Sequence, residues 1–81
     1  MSYHNWYYQR RVFRLRSSHP TLVKFTAAEL DIPGQEDRNL GIQIDTRQAS
    51  AGVTDVLVFV NDEEERNEDC FKIRVTAFHP R

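Results

Sequence analysis

One cysteine, Cys70, stands alone in a chain of 81 residues, so no internal disulfide can staple a core this small. A reducing compartment follows as the natural expectation. Glycine and proline number three each. Three glycines cannot build a phosphate cradle of the usual kind, and no nucleophile elbow or Cys–His arrangement accompanies them. Long apolar runs are missing as well: Val56 to Val60 is far too short to cross a bilayer, so no membrane insertion is expected. The opening residues Met1, Ser2, Tyr3, His4 and Asn5 lack the basic-then-apolar pattern of a secretory signal, which points to the cytoplasm. His4, His19 and His79 are far apart, and one cysteine cannot complete a structural zinc site, so neither metal nor cofactor is expected. A thin core also leaves little room for a water-excluding pocket. Together these absences speak against an enzyme, and no catalytic residue is assigned.

What is present is charge sorted along the chain. The net charge is −1, yet Arg10, Arg11, Arg14, Arg16 and Lys24 all precede the first acidic residue, Glu29. The stretch from Asn61 to Asp69 then sets Asp62, Glu63, Glu64, Glu65, Glu68 and Asp69 against Arg66. The chain reads as a basic strand plus an acidic loop.

Apolar residues recur at spacing two, with β-branched and aromatic types dominating, which argues for strands rather than helices. The first is expected from about Tyr7 to Arg16, with Phe13 and Leu15 on the buried face. Val23 with Phe25, Leu30 with Ile32, and Leu40, Ile42 and Ile44 mark three more. Pro33-Gly34 supplies a turn whose glycine can take a positive φ. Val56, Val58 and Val60 alternate with Leu57 and Phe59, so that strand wants cover on both faces and should be central. Phe25, Ile42, Ile44, Leu57 and Phe59 are assigned to the core with Phe71, Ile73 and Val75 of the last strand; the three valines are left open. Ala, Ser and Gly between Gln48 and Thr54 form a flexible connection, and His79-Pro80 closes the last strand. The sum is about five or six strands, a two-layer all-β sandwich or small barrel with fewer strands than the seven or so of an immunoglobulin-type sandwich.

Trp6, Tyr7 and Tyr8 stand directly before the basic strand, and aromatic residues beside Arg10, Arg11, Arg14 and Arg16 are candidate partner-binding residues. Alternating arginines are equally what the solvent face of an exposed strand carries. If the stripe binds, an acidic protein fits the near-neutral net charge better than nucleic acid, and an RNA- or anionic-surface-binding module is the alternative. The acidic loop lacks the alternating ligands, central glycine and distant bidentate glutamate of an EF-hand, so it reads as a solvated hairpin tip that resists aggregation.

Several motifs converge: Asn5; Arg10-Arg11-x-Phe13-x-Leu15-x-Ser17-Ser18-His19-Pro20; Leu22 to Phe25; Gly41-Ile42-Gln43-Ile44; Val56 to Asp62 with the acidic run after it; and Phe71-x-Ile73-x-Val75. From about Asn5 to Phe78 this pattern resembles the last part of the nephrocystin-4 family, ciliary transition-zone and basal-body proteins with immunoglobulin-like domains of the major-sperm-protein type. The resemblance implies an incomplete immunoglobulin-like (major-sperm-protein-type) β-sandwich, with residues 1–81 forming one domain or the C-terminal portion of one. Ser2 to His4 would be what remains of its second strand. It further implies scaffolding by protein–protein contact, with ciliary or microtubule-associated partners, at the cilium, basal body or cytoskeleton. A sheet edge short of a neighbour would be completed by another chain or by self-association.

Overall fold

The computed structural model describes residues 1–48 and 51–77. Apart from one 3-10 turn, Thr46–Gln48, its regular structure is all β. The strands are β1 (Ser2–His4), β2 (Arg11–Ser17), β3 (Val23–Phe25), β4 (Glu29–Ile32), β5 (Asp37–Asn39), β6 (Ile42–Ile44), β7 (Gly52–Asn61) and β8 (Asn67–Ala77). Every pairing is antiparallel. One sheet runs β4-β2-β7-β8, and two small ladders, β1-β5 and β3-β6, supply side chains against its inner face. The six strands expected from spacing are β2, β3, β4, β6, β7 and β8. The two others are β1, which the resemblance anticipates as a strand, and β5, whose Asp37-Arg38-Asn39 carries no apolar signal.

Register decides which side chains meet. Phe13 lies opposite Leu30 and Leu15 opposite Val60. Val58 lies opposite Phe71 and Val56 opposite Ile73. Cross-strand partners share a face, so all of these point inward. Phe13, Leu15, Leu30, Ile32, Leu40 and Val60 form one buried cluster, with Tyr3 edge-on to Phe13 at 5.2 Å between ring centroids. Leu22, Val23, Val56, Val75 and Ala77 form a second, and Ile42 packs against both. The Cα radius of gyration, 14.2 Å, exceeds the roughly 12 Å of a compact chain this long. The sandwich is therefore elongated and open, with one substantial layer and a second made of fragments.

Three expectations are corrected. Leu57 and Phe59 are on the outer face of the sheet, and Val56, Val58 and Val60 are the fully buried set. Their facing follows from Leu15 opposite Val60, which fixes the whole strand by period two. Ile44 remains exposed at the rim of the β3-β6 ladder, opposite a buried Val23, because β6 is only three residues long and pairs with β3 alone among the described residues. Strand β2 begins at Arg11 rather than near Tyr7, since the chain bends sharply through residues 7–9. The connection between Gln48 and Thr54 is described only in part, and the closing His79-Pro80 lies outside the described residues.

Candidate protein-interaction site

The bend before β2 is held by Asn5, a polar residue with no solvent exposure. Its Nδ2 donates to the carbonyls of Gln9 and Ile32 at 2.9 Å each and, more weakly, to Pro33 at 3.3 Å. Its Oδ1 accepts from the Tyr7 amide at 2.9 Å, an Asx turn that folds the next residues back. The 33–36 turn locks against this bend. Gln35 N–H donates to the carbonyls of Asn5 and Tyr7, and its Nε2 donates to Trp6 O at 2.7 Å. The positive φ of that turn falls on Gln35, at 63°, and not on Gly34. Gly34 is required for another reason: a Cβ there would lie 2.1 Å from the Tyr8 carbonyl oxygen.

This locked bend holds its aromatic residues outward. Trp6 is 78% exposed and Tyr8 92% exposed. His4 stands edge-on to the Trp6 indole at 4.1 Å between ring centroids. Tyr7 is used internally: its hydroxyl donates to the Glu68 carboxylate at 2.7 Å, which raises its pKa, and the Arg11 guanidinium lies 4.4 Å from its ring centroid. Arg11 Nε is buried there without a hydrogen-bond partner.

The candidate arginines do not form one stripe. Arg10 forks onto Asp31, and the pairing holds the Asp31 carboxyl below the usual carboxylate range. Arg14, on the outer face of β2, meets Glu29 at 3.3 Å and Glu65 at 3.9 Å. Arg16 lies over the Phe59 ring at 5.1 Å and has no carboxylate partner among the described residues. Arg11 is turned toward Tyr7 on the opposite side. Half of the basic character seen in the sequence is thus neutralised by carboxylates from β4 and the hairpin tip.

That tip is built on Asp62, which is buried although its neighbours Glu63, Glu64 and Glu65 are exposed. Its Oδ1 accepts from the amides of Arg66 at 2.8 Å and Glu64 at 2.9 Å, and its Oδ2 accepts from Arg66 Nε. The Arg66 amide leads the causes that hold the Asp62 carboxyl below its ordinary value. Spacing alone suggests a uniformly solvated run; one of its carboxylates is the structural centre of the turn. Among the described residues no three His, Cys, Asp or Glu side chains converge as a metal set, and His79 lies outside those residues.

Strand β2 is central in the large sheet, flanked by β4 and β7. The sheet's edge strands are β4 and β8; β8, 11 residues long, pairs with β7 alone among the described residues, and its Phe71 and Ile73 are half-buried.

Layered antiparallel strands with a shared apolar interior place the chain among the immunoglobulin-like β-sandwiches. The family described as NPH4 Ig-like domain 4 matches residues 1–78, and the chain belongs to that family. It is 35% identical over 75 residues to nephrocystin-4 of Homo sapiens and 27% identical over 75 residues to nephrocystin-4 of Xenopus laevis. Each alignment covers 93% of this chain and 5% of the relative, so the chain spans about one-twentieth of the length of these proteins. No solved structure matches the chain significantly.

Proposed function

We propose that the chain is a non-enzymatic protein-interaction module of a cilium-associated assembly, and that its contact surface is centred on Trp6 and Tyr8. The observation that carries this reading is a large, mostly exposed indole and phenol on a backbone that cannot relax to bury them. Asn5 and Gly34 hold the bend, so the rings are presented in one arrangement and lose little freedom on binding. Trp, Tyr and Arg dominate the energetics of protein contacts when a partner desolvates them. Arg10 and Arg14, flanking the bend, would then supply a polar rim rather than a field.

An RNA-binding surface fits less well, because Asp31, Glu29 and Glu65 occupy the arginines that phosphates would need. Acid–base chemistry finds no support either. The Tyr3 phenol is pushed up to about 12, chiefly by burial, and the shifted carboxyls of Asp31, Asp45, Asp55 and Asp62 all move down, away from neutrality. The ciliary setting, at the basal body or transition zone, rests on membership of the family. The test is the chain fused to a fluorescent reporter in ciliated cells, beside a Trp6→Ala, Tyr8→Ala variant of equal stability. Enrichment at the ciliary base that the variant loses is the expected result. Diffuse signal from both proteins overturns the setting, and enrichment that survives the double substitution overturns the assigned surface.

A further inference from the structure

We propose that the groove between the C-terminal end of β2 and β3 docks an extended, acidic segment of another protein, which adds to the free backbone of β2 and seats apolar side chains between the layers. This site is separate from Trp6 and Tyr8 and does not depend on their role.

The groove holds about 430 Å³. Leu15, Val23 and Phe25 give it an apolar floor, with Ser17 on the β2 wall and Arg16 and Lys24 at the rim. Leu15 and Val23 belong to the buried clusters, so the floor is the core itself, reached from the side. Arg16 and Lys24 are exposed.

Among the described residues the backbone beside it is unpaired. The β4-side ladder of β2 ends where Leu15 N–H donates to Ala28 O at 2.8 Å. Ser18 N–H points the other way, to Leu57 O at 2.9 Å. Alternation along an antiparallel strand therefore directs the N–H and C=O of Ser17 toward the groove. Strand β4 has already ended at that level, and β3 pairs with β6 instead. Strand β2 is thus central along most of its length and an edge at its last residues, next to an apolar floor. Strand addition takes its affinity from main-chain rungs and its specificity from the pockets and charges beside them.

Charge selects the occupant. Arg10, Arg14, Arg47, Arg66, Lys72 and Arg74 each have a carboxylate within ion-pair distance. Arg11, Arg16, Lys24 and Arg38 have none among the described residues, and of these Arg16 and Lys24 line the groove. Asp45, whose carboxyl is held below its ordinary value chiefly by Arg47 and least by Lys24, is engaged by Arg47 at 3.1 Å. Two cations without carboxylate partners at the rim of an apolar, edge-lined groove complement an acidic strand and repel a basic one.

The test is a titration of the isotope-labelled chain, followed by amide NMR, with a blocked peptide alternating glutamate and valine. Comparison peptides carry lysine in place of glutamate or serine in place of valine. Saturable binding of the glutamate–valine peptide, with shifts at Leu15, Ser17, Val23 and Phe25, is expected, and both comparison peptides should bind at least about tenfold more weakly. Charge reversal by Lys24→Glu, alone and with Arg16→Glu, should weaken the acidic peptide and favour the lysine peptide. Both sites are exposed, and the single variant provides the reading if the double variant loses its fold. Absence of saturable binding, equal binding of the lysine peptide, or shifts confined to 67–77 overturns the proposal. A failure located at these amides is distinct from a failure of the Trp6 and Tyr8 surface.

Discussion

The Asn5 side-chain amide donates to the Ile32 carbonyl at 2.9 Å, fastening the start of the chain to the end of β4 across 27 positions. A carboxamide is suited to this position because it supplies donors toward Gln9 and Ile32 and an acceptor toward Tyr7 at once. Asn5→Ala leaves buried backbone groups without partners and should destabilise the chain by about 3 kcal/mol in chemical denaturation. Asn5→Asp keeps the acceptor but turns a carboxylate toward three carbonyls, so it should rescue little. A stable Asn5→Asp variant would show that the donors are dispensable.

The two faces of the large sheet predict unequal responses in mutants of similar chemistry. Phe13, 2% exposed, is on the inner face of the sheet, whereas Phe59 is on the outer face beneath Arg16. Phe13→Ala should cost about 4 kcal/mol by opening a cavity. Phe59→Ala should cost about 1 kcal/mol, the scale of a partly exposed contact with a cation. Equal losses in urea melts would reverse the assignment of faces.

Period-two spacing made β2, β3, β4, β6, β7 and β8 legible because each has one face that must leave water. It could not place β5, where Asp37, Arg38 and Asn39 are all exposed and the strand exists through its backbone rungs to β1. Nor could it orient Val56 to Val60, since apolar residues on both faces cancel the signal; only pairing with Leu15 and Phe71 settles it. Trp6, Tyr7 and Tyr8 are legible as candidates by composition, but their division into two freely presented rings and one tied back to the chain depends on Glu68, 61 positions from Tyr7, and on the contact of Asn5 with Ile32, 27 positions away. Asn5 and Asp62 look like surface residues because their burial is compensated by backbone groups that no sequence displays.

The acidic hairpin should divide into one sensitive carboxylate and several tolerant ones. Serine at Glu63 and Glu64 should leave the melting temperature nearly unchanged, as exposed charges contribute little. Asp62→Ala should lower it by several degrees, because the Glu64 and Arg66 amides lose their acceptor. Glu65 sits at a φ of 62°, so Glu65→Gly should raise it slightly by relieving the left-handed conformation. The Asp62 carboxyl titrates below its unfolded value of about 4. Its stabilising contribution is therefore present above that pH and is lost as pH falls through the folded-state value. Asp62→Asn retains an acceptor but cannot titrate, so it should flatten part of the acid limb in a melting-temperature profile from neutral to strongly acidic pH. An unchanged acid limb would remove Asp62 as a contributor.

The open edge of β8 predicts association. Its 11 residues pair with β7 on one side and with no strand on the other among the described residues. Phe71 and Ile73, on the inner face, are only half-buried, so the rungs that face outward have apolar side chains next to them. An edge of that length is a template for another strand unless charge or a bulge spoils it. The register shift at Val60/Asn61 lies on β7 near the hairpin tip, and the charges of Lys72 and Arg74 project from the outer face, so neither blocks approach along the inner side. The weight-average mass in sedimentation equilibrium should accordingly rise with concentration. Ile73→Lys points a charge inward beside the edge, a device by which natural sheets deter pairing, and should shift the distribution toward monomer. Because Ile73 is only partly buried, the lysine ammonium can reach water and the fold should survive, as a retained cooperative melt would confirm. Concentration-independent monomer in the unmodified chain, with amides across 67–77 already protected from exchange, would mean that the edge is closed in solution and that no strand is awaited there.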